Sequence, residues 1–80
     1  MRKFGQAYID RVSRMVEEYA WDIGIGGFVI EQEGSDELVL TSDDRNGVAD
    51  FFEEFQEQEG IYCEMENNGY SVRIFPGKHA

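Results

Sequence analysis

The chain has one cysteine, Cys63, one proline, Pro76, and one histidine, His79. A single cysteine rules out an internal disulfide, and a lone thiol fits a reducing cytoplasm, the compartment we expect. One cysteine and one histidine cannot supply a zinc set of the usual four ligands. His79 lies in the C-terminal tail with no evident partner for acid–base or nucleophilic work. No apolar run approaches the roughly 18 residues that span a bilayer. The opening MRKFGQAYIDRV is charged and amphipathic, without an apolar h-region, so no secretory leader is expected. Positive charge is nearly missing from the middle of the chain: residues 31–66 hold thirteen acids against Arg45 alone. With a formal net charge of −10 overall, the chain repels nucleic acid and membrane surfaces and attracts basic partners.

The 80 residues are 41% hydrophobic and 14% aromatic, which makes a folded globule. A chain this short buries only about 60–65% of its unfolded surface, so we expect one domain, 1–80, with a thin core. Residues 4–22 read as a helix whose apolar stripe is Phe4, Tyr8, Val12, Met15, Val16 and Tyr19, with Ile9 beside it. Trp21 lies off that stripe, either folded over the end of the sheet or exposed as an anchor. The glycines at 24–27 end the helix. They lack nucleotide-fingerprint spacing and precede a strand, so they are not a phosphate loop.

Residues 27–33 and 37–41 read as strands joined by Gly34-Ser35-Asp36. That loop sets Ile30 opposite Leu40 and Gln32 opposite Leu38, placing Phe28, Ile30, Leu38 and Leu40 on one face. A second helix follows, capped by Thr41 or Ser42, with Asp43 and Asp44 at its positive end. Its buried stripe is Val48, Phe51, Phe52 and Phe55; Asp50, Glu53, Glu54 and Glu57 point to water, and Gly60 ends it. Two more strands flank Asn68-Gly69, a strong hairpin signal. A two-residue turn there pairs Met65 with Val72, Cys63 with Ile74, Glu64 with Arg73 and Tyr62 with Phe75. Cys63, Met65, Val72 and Ile74 then share the core face, where a thiol is inert.

The halves echo each other: Val12, Glu17, Glu18, Gly24 and Ile25 correspond to Val48, Glu53, Glu54, Gly60 and Ile61, and Glu31 and Gly34 to Glu66 and Gly69. We therefore expect an α+β fold, a two-layer αββαββ sandwich with weak internal duplication. Its units are 4–42 and 43–76, followed by a tail at 77–80. A four-stranded antiparallel sheet carries both helices on one face. The other face stays uncovered, with Val29, Glu31, Val39, Thr41, Tyr62, Glu64, Glu66, Ser71, Arg73 and Phe75. It is more apolar than a purely solvated face needs.

The segment 42–53 partly matches the EF-hand pattern through Ser42, Asp44, Asn46, Gly47 and Glu53. Serine is a poor first ligand, a strand precedes the loop, and helix capping already explains the acids. Neither a metal nor a cofactor is expected, and with no evident cleft no catalytic residues are assigned.

What remains is the acidic surface: Asp50, Glu53, Glu54 and Glu57 on the second helix, with Glu31, Glu33, Asp36, Glu37, Glu64 and Glu66 on the hairpins. DNA-binding grooves read phosphates spaced along a strand, mostly with Arg and Lys, and rows of carboxylates on a rigid protein can occupy such a groove. In size, charge and compactness the chain resembles the small acidic inhibitors encoded by phages, including the anti-CRISPR class. The likeness is one of type over the whole chain and carries over no residue role. It implies a non-enzymatic inhibitor acting in the host cytoplasm on a basic nucleic-acid-binding protein or complex, for example a CRISPR effector, without binding nucleic acid or membrane itself. The alternative is a small adaptor or homodimer that uses the open sheet face through Tyr62 and Phe75, with a calcium-binding module third. A monomer or weak homodimer is expected.

Overall fold

The computed structural model describes residues 5–34, 36–57 and 61–76. Its elements run α1 (Gln6–Ile23), β1 (Val29–Glu33), β2 (Glu37–Thr41), α2 (Arg45–Phe55), β3 (Ile61–Glu66) and β4 (Ser71–Pro76). The four strands form one antiparallel sheet in the order β1-β2-β4-β3. The expected α+β sandwich is the observed fold.

Both hairpin registers follow the sequence. Ile30 pairs with Leu40 and Gln32 with Leu38. Met65 pairs with Val72, Cys63 with Ile74, Glu64 with Arg73 and Tyr62 with Phe75. At the second hairpin Asn68 and Gly69 have φ of +57° and +91°, the signs of a type I′ turn, and Tyr70 N donates to Asn67 O at 3.0 Å. The two hairpins join through β2 and β4, where Leu38 pairs with Ile74 and Leu40 with Val72. Exchanging the two strands maps each of these pairs onto the other, so the sheet has a pseudo-twofold axis between Val39 and Arg73. In this register the counterpart of Glu31 is Glu64 rather than Glu66. The helices meet through Tyr19 and Phe55, whose rings lie edge to face at 4.9 Å.

One core lies between the layers. Ile9, Val12, Val16 and Ala20 of α1, with Val48, Phe51 and Phe55 of α2, pack on Leu38, Leu40, Cys63, Val72 and Ile74. The α1 stripe is thus centred differently from its expected position: Ile9, Val12, Val16 and Ala20 are buried, and Tyr8, Met15 and Tyr19 flank them. Phe4 and Gly60 lie outside the described residues. In α2, Phe52 is only half-buried and Gly47 is buried in its place along the helix. Met65 keeps the expected register yet is 38% exposed, because β3 is an edge strand with no neighbour on its outer side.

The start of α2 also differs from expectation. Its cap is Asp44, whose Oδ1 accepts from Gly47 N at 3.0 Å, not Thr41 or Ser42. Ser42 is occupied elsewhere: its hydroxyl donates to Gly26 O and accepts from Asp44 N at 2.9 Å. Asp44 Oδ2 accepts from Gly26 N at 3.3 Å. These bonds lash the α1–β1 loop to the head of α2. Where α1 runs into this loop, Gly24 adopts φ of +87°, and its N–H and that of Ile25 both reach Ala20 O.

Candidate functional site

Period-two alternation sorts the outward residues of the sheet into three rows. Val29, Thr41, Ser71 and Glu66 form the first row, and Glu31, Val39, Arg73 and Glu64 the second. Glu33, Glu37, Phe75 and Tyr62 form the third, with Phe75 one position past the last β2–β4 pair. Glu33 and Glu37 also face this side, although the expected list for the face omitted them.

Arg73 organises this face. Its Nε donates to Glu66 Oε2 at 2.7 Å, and its Nη1 to Glu33 Oε1 and to Glu37 Oε1, both at 2.9 Å. A further bond runs from Nη2 to Glu66 Oε1 at 3.2 Å, so Glu66 is held by both prongs of the guanidinium. The hydrogen bonds to Glu66, then Glu33 and Glu37, push the Arg73 pKa upward, so its charge is permanent. The register does set Arg73 opposite Glu64, but the side chain turns to these three carboxylates instead. Glu64 accepts from Tyr62 OH at 3.2 Å, and that bond raises the Tyr62 pKa. Sequence reasoning missed the clamp because two of its three partners, Glu33 and Glu37, are 40 and 36 residues away along the chain. The signal that could have found it is that Arg73 is the only cation among the outward strand residues.

The apolar members of the face run along the opposite diagonal. Val29 is 53% and Tyr62 42% exposed, while Val39 and Phe75 are half-buried. The Tyr62 and Phe75 rings lie 5.6 Å apart. Ser71, expected on the open face, is buried and hydrogen-bonds Thr41 at 3.0 Å. Asp36 sits half-buried in the first hairpin loop, and Glu31 is exposed.

The helix side differs in character. Asp50, Glu53 and Glu54 on α2, with Glu57 just beyond its end, are exposed. All ion pairs among the described residues converge on Arg73, so these four acids have none. Glu53, Glu54 and Glu57 line an open hollow with Gln56 and with Tyr19 of α1. Arg45, the one cation of α2, stands at its opposite end, its guanidinium 5.7 Å from the centre of the Tyr70 ring. Trp21 is 66% exposed, its ring edge-on to Phe28 at 5.3 Å.

Nothing in the site resembles an activated nucleophile. Cys63 is buried, and desolvation pushes its thiol up to about 12. Among the described residues no three His, Cys, Asp or Glu side chains gather as metal ligands, and no helix is long and apolar enough to cross a membrane. Of the EF-hand-like segment, Ser42 and Asp44 are already engaged, Ser42 with Gly26 O and Asp44 with Gly26 N and as the cap of α2. A scan against protein-family models finds no match, and neither do searches of curated proteins and of solved structures.

Proposed function

We propose that the protein is a non-enzymatic inhibitor whose acidic surface takes the place of nucleic acid in the basic binding site of a partner protein, in the manner of phage-encoded anti-defence proteins such as anti-CRISPRs. Its place of action on this reading is the host cytoplasm.

One observation carries the reading: the acids of α2 are placed against stability. A helix favours anions at its N-terminus and cations at its C-terminus, each worth about 0.3–1 kcal/mol. In α2 the start complies, with Asp44 as the cap, but the end does not. Glu53 and Glu54 occupy the last turn, no basic residue does, and Arg45 opens the helix. Asp50 and Glu54, four apart, repel each other by a few tenths of a kcal/mol. Charges kept for solubility alone tolerate mixing of sign; these are concentrated beside the hollow and left without counter-ions. The sheet-face acids contribute differently, since three of them are held by Arg73.

The test is competition. The immobilised protein captures its partner, and the captured partner is offered duplex DNA and RNA at two salt concentrations. The reading requires mutual exclusion with nucleic acid, steep weakening with salt, and loss of capture by Glu53→Lys/Glu54→Lys/Glu57→Lys. A partner that holds this protein and nucleic acid together would refute it. The adaptor reading then takes over, favoured by the exposure of Val29 and Tyr62 on the sheet.

A further inference from the structure

We infer that the outward sheet face is a second docking surface, built for a cationic and partly apolar segment of a partner protein rather than for a second copy of this chain. The inference rests on the reading above only in taking the partner to be basic.

The argument starts from the two diagonals. Val29, Val39, Phe75 and Tyr62 make an apolar stripe from the first row of β1 to the third row of β3. Glu33, Glu37, Arg73 and Glu66 make an ionic stripe across it. An apolar strip flanked by charge is the anatomy of an interface core with its polar rim. The choice of occupant follows from the charge. Among the described residues, five glutamates (Glu31, Glu33, Glu37, Glu64 and Glu66) against one arginine leave the face at −4. Its single cation already donates four hydrogen bonds to three carboxylates. Among the described residues, nothing on the face can therefore receive a phosphate or an acidic peptide. A symmetric dimer would press −4 against −4 while removing water from both, the arrangement most costly for like charges. A segment alternating Lys or Arg with apolar residues meets every demand. Its apolar side covers Val39, Phe75 and Tyr62, and its cations reach Glu31 and Glu64, the exposed acids at opposite edges that Arg73 does not hold.

The pseudo-twofold axis supports the same conclusion. On the two edge strands, rotation about it exchanges Val29 with Tyr62, Glu31 with Glu64, and Glu33 with Glu66, so apolar replaces apolar and acid replaces acid there. An extended segment therefore finds an apolar contact and an acid at both ends of the face.

Two short peptides test this, one alternating lysine with leucine and one alternating lysine with serine. Both are titrated into the intact chain at physiological salt, where charges beyond about 8 Å are screened. The lysine–leucine peptide should bind and shift the backbone amides of Val29, Val39, Tyr62 and Phe75. Val29→Ser with Tyr62→Ser, both at exposed positions that leave the core untouched, should weaken it about tenfold. Glu53→Lys/Glu54→Lys/Glu57→Lys should change it by less than about twofold. Equal binding of the lysine–serine peptide, shifts confined to α2, or no binding at all would overturn the inference. So would concentration-dependent dimerisation in sedimentation that Tyr62→Ser abolishes, which would make a second copy the occupant. Neither peptide is the inhibited partner, so failure here and failure of competition with nucleic acid are separate results.

Discussion

Replacing Gly47 with alanine sets three effects against one another. Alanine is the better helix former by about 0.8–1 kcal/mol, and on propensity alone the change stabilises α2. Space decides otherwise. A Cβ on Gly47 would stand 2.7 Å from Asp44 Oδ2, 3.0 Å from Asp44 Cγ and 3.1 Å from Ile25 Cγ1. Asp44 must then swing away from the Gly47 N–H that it caps at 3.0 Å, and from Gly26 N at 3.3 Å. Losing a side-chain cap costs about 1 kcal/mol, within a range of roughly 0.5–2. Crowding Ile25, which is 3% exposed in the core, adds about 1–3 kcal/mol of overpacking. The sum after the propensity gain is about 1–3 kcal/mol of destabilisation. For a domain of this size each kcal/mol lowers Tm by about 4–8 °C. Thermal melts of the parent, Gly47→Ala, Asp44→Ala and the double variant measure it. Because the alanine acts largely by displacing Asp44, the double variant should lose less than the sum of the singles, by about the energy of the cap. A Gly47→Ala chain that melts at or above the parent would show that propensity outweighs the contact and that the Asp44 cap contributes little.

Burial lifts the Cys63 thiol from 9.0 to about 12, so its thiolate fraction near neutral pH falls about a thousandfold, and native labelling by a thiol reagent should proceed only through opening of the fold; prompt stoichiometric labelling would contradict the register of β3. Because the folded pKa is the higher one, the stability that Cys63 contributes is complete below pH 9 and is lost as pH rises toward 12, at up to about 1.4 kcal/mol per pH unit; urea titrations at neutral and alkaline pH should show a loss that Cys63→Ala reduces. Glu53→Lys/Glu54→Lys/Glu57→Lys removes acids from the unfavourable end of α2 and should leave Tm unchanged or raise it by a few degrees, of order a kcal/mol in all; a clear fall in Tm would mean those carboxylates are structural. Millimolar calcium should leave Tm where it is, since Ser42 and Asp44 already spend their oxygens on α2 and Gly26; a saturable rise abolished by Glu53→Ala would restore the calcium module.

What was legible in the sequence was what short range decides. Loop length and alternation fixed both hairpins to the residue, because a slip of one position would turn Leu38, Leu40, Val72 and Ile74 to water. Asn68-Gly69 was readable because a two-residue turn matching the strand twist needs two positive φ angles. The junction of the hairpins was not. No local signal states that β2 lies beside β4, and the Arg73 clamp depends on that neighbourhood, since it gathers Glu37 of β2 and Glu33 of β1 to a residue of β4. The cap of α2 was misplaced for a related reason. Ser42 is a good cap in isolation, but the α1–β1 loop brings Gly26 O within its reach, and the cap passes to Asp44.

The duplication explains why the two surfaces differ. Were the halves identical, Val39 and Arg73, which exchange across the pseudo-axis, would be the same residue. Two valines would leave the sheet acids without a counter-ion, as the acids of α2 are. The arginine gathers Glu33, Glu37 and Glu66 at the centre and leaves Glu31 and Glu64 exposed at the edges. The last turn of α2, with Glu53 and Glu54, has no such cation, although a lysine there would favour the helix dipole and relieve repulsion. One surface thus has an internal counter-ion and the other has none; on the proposed reading the acids of α2 meet theirs outside this chain. The same contrast predicts two salt responses: contact through α2 should weaken steeply with ionic strength, while contact through the sheet face, part of it apolar through Val39, Phe75 and Tyr62, should weaken less.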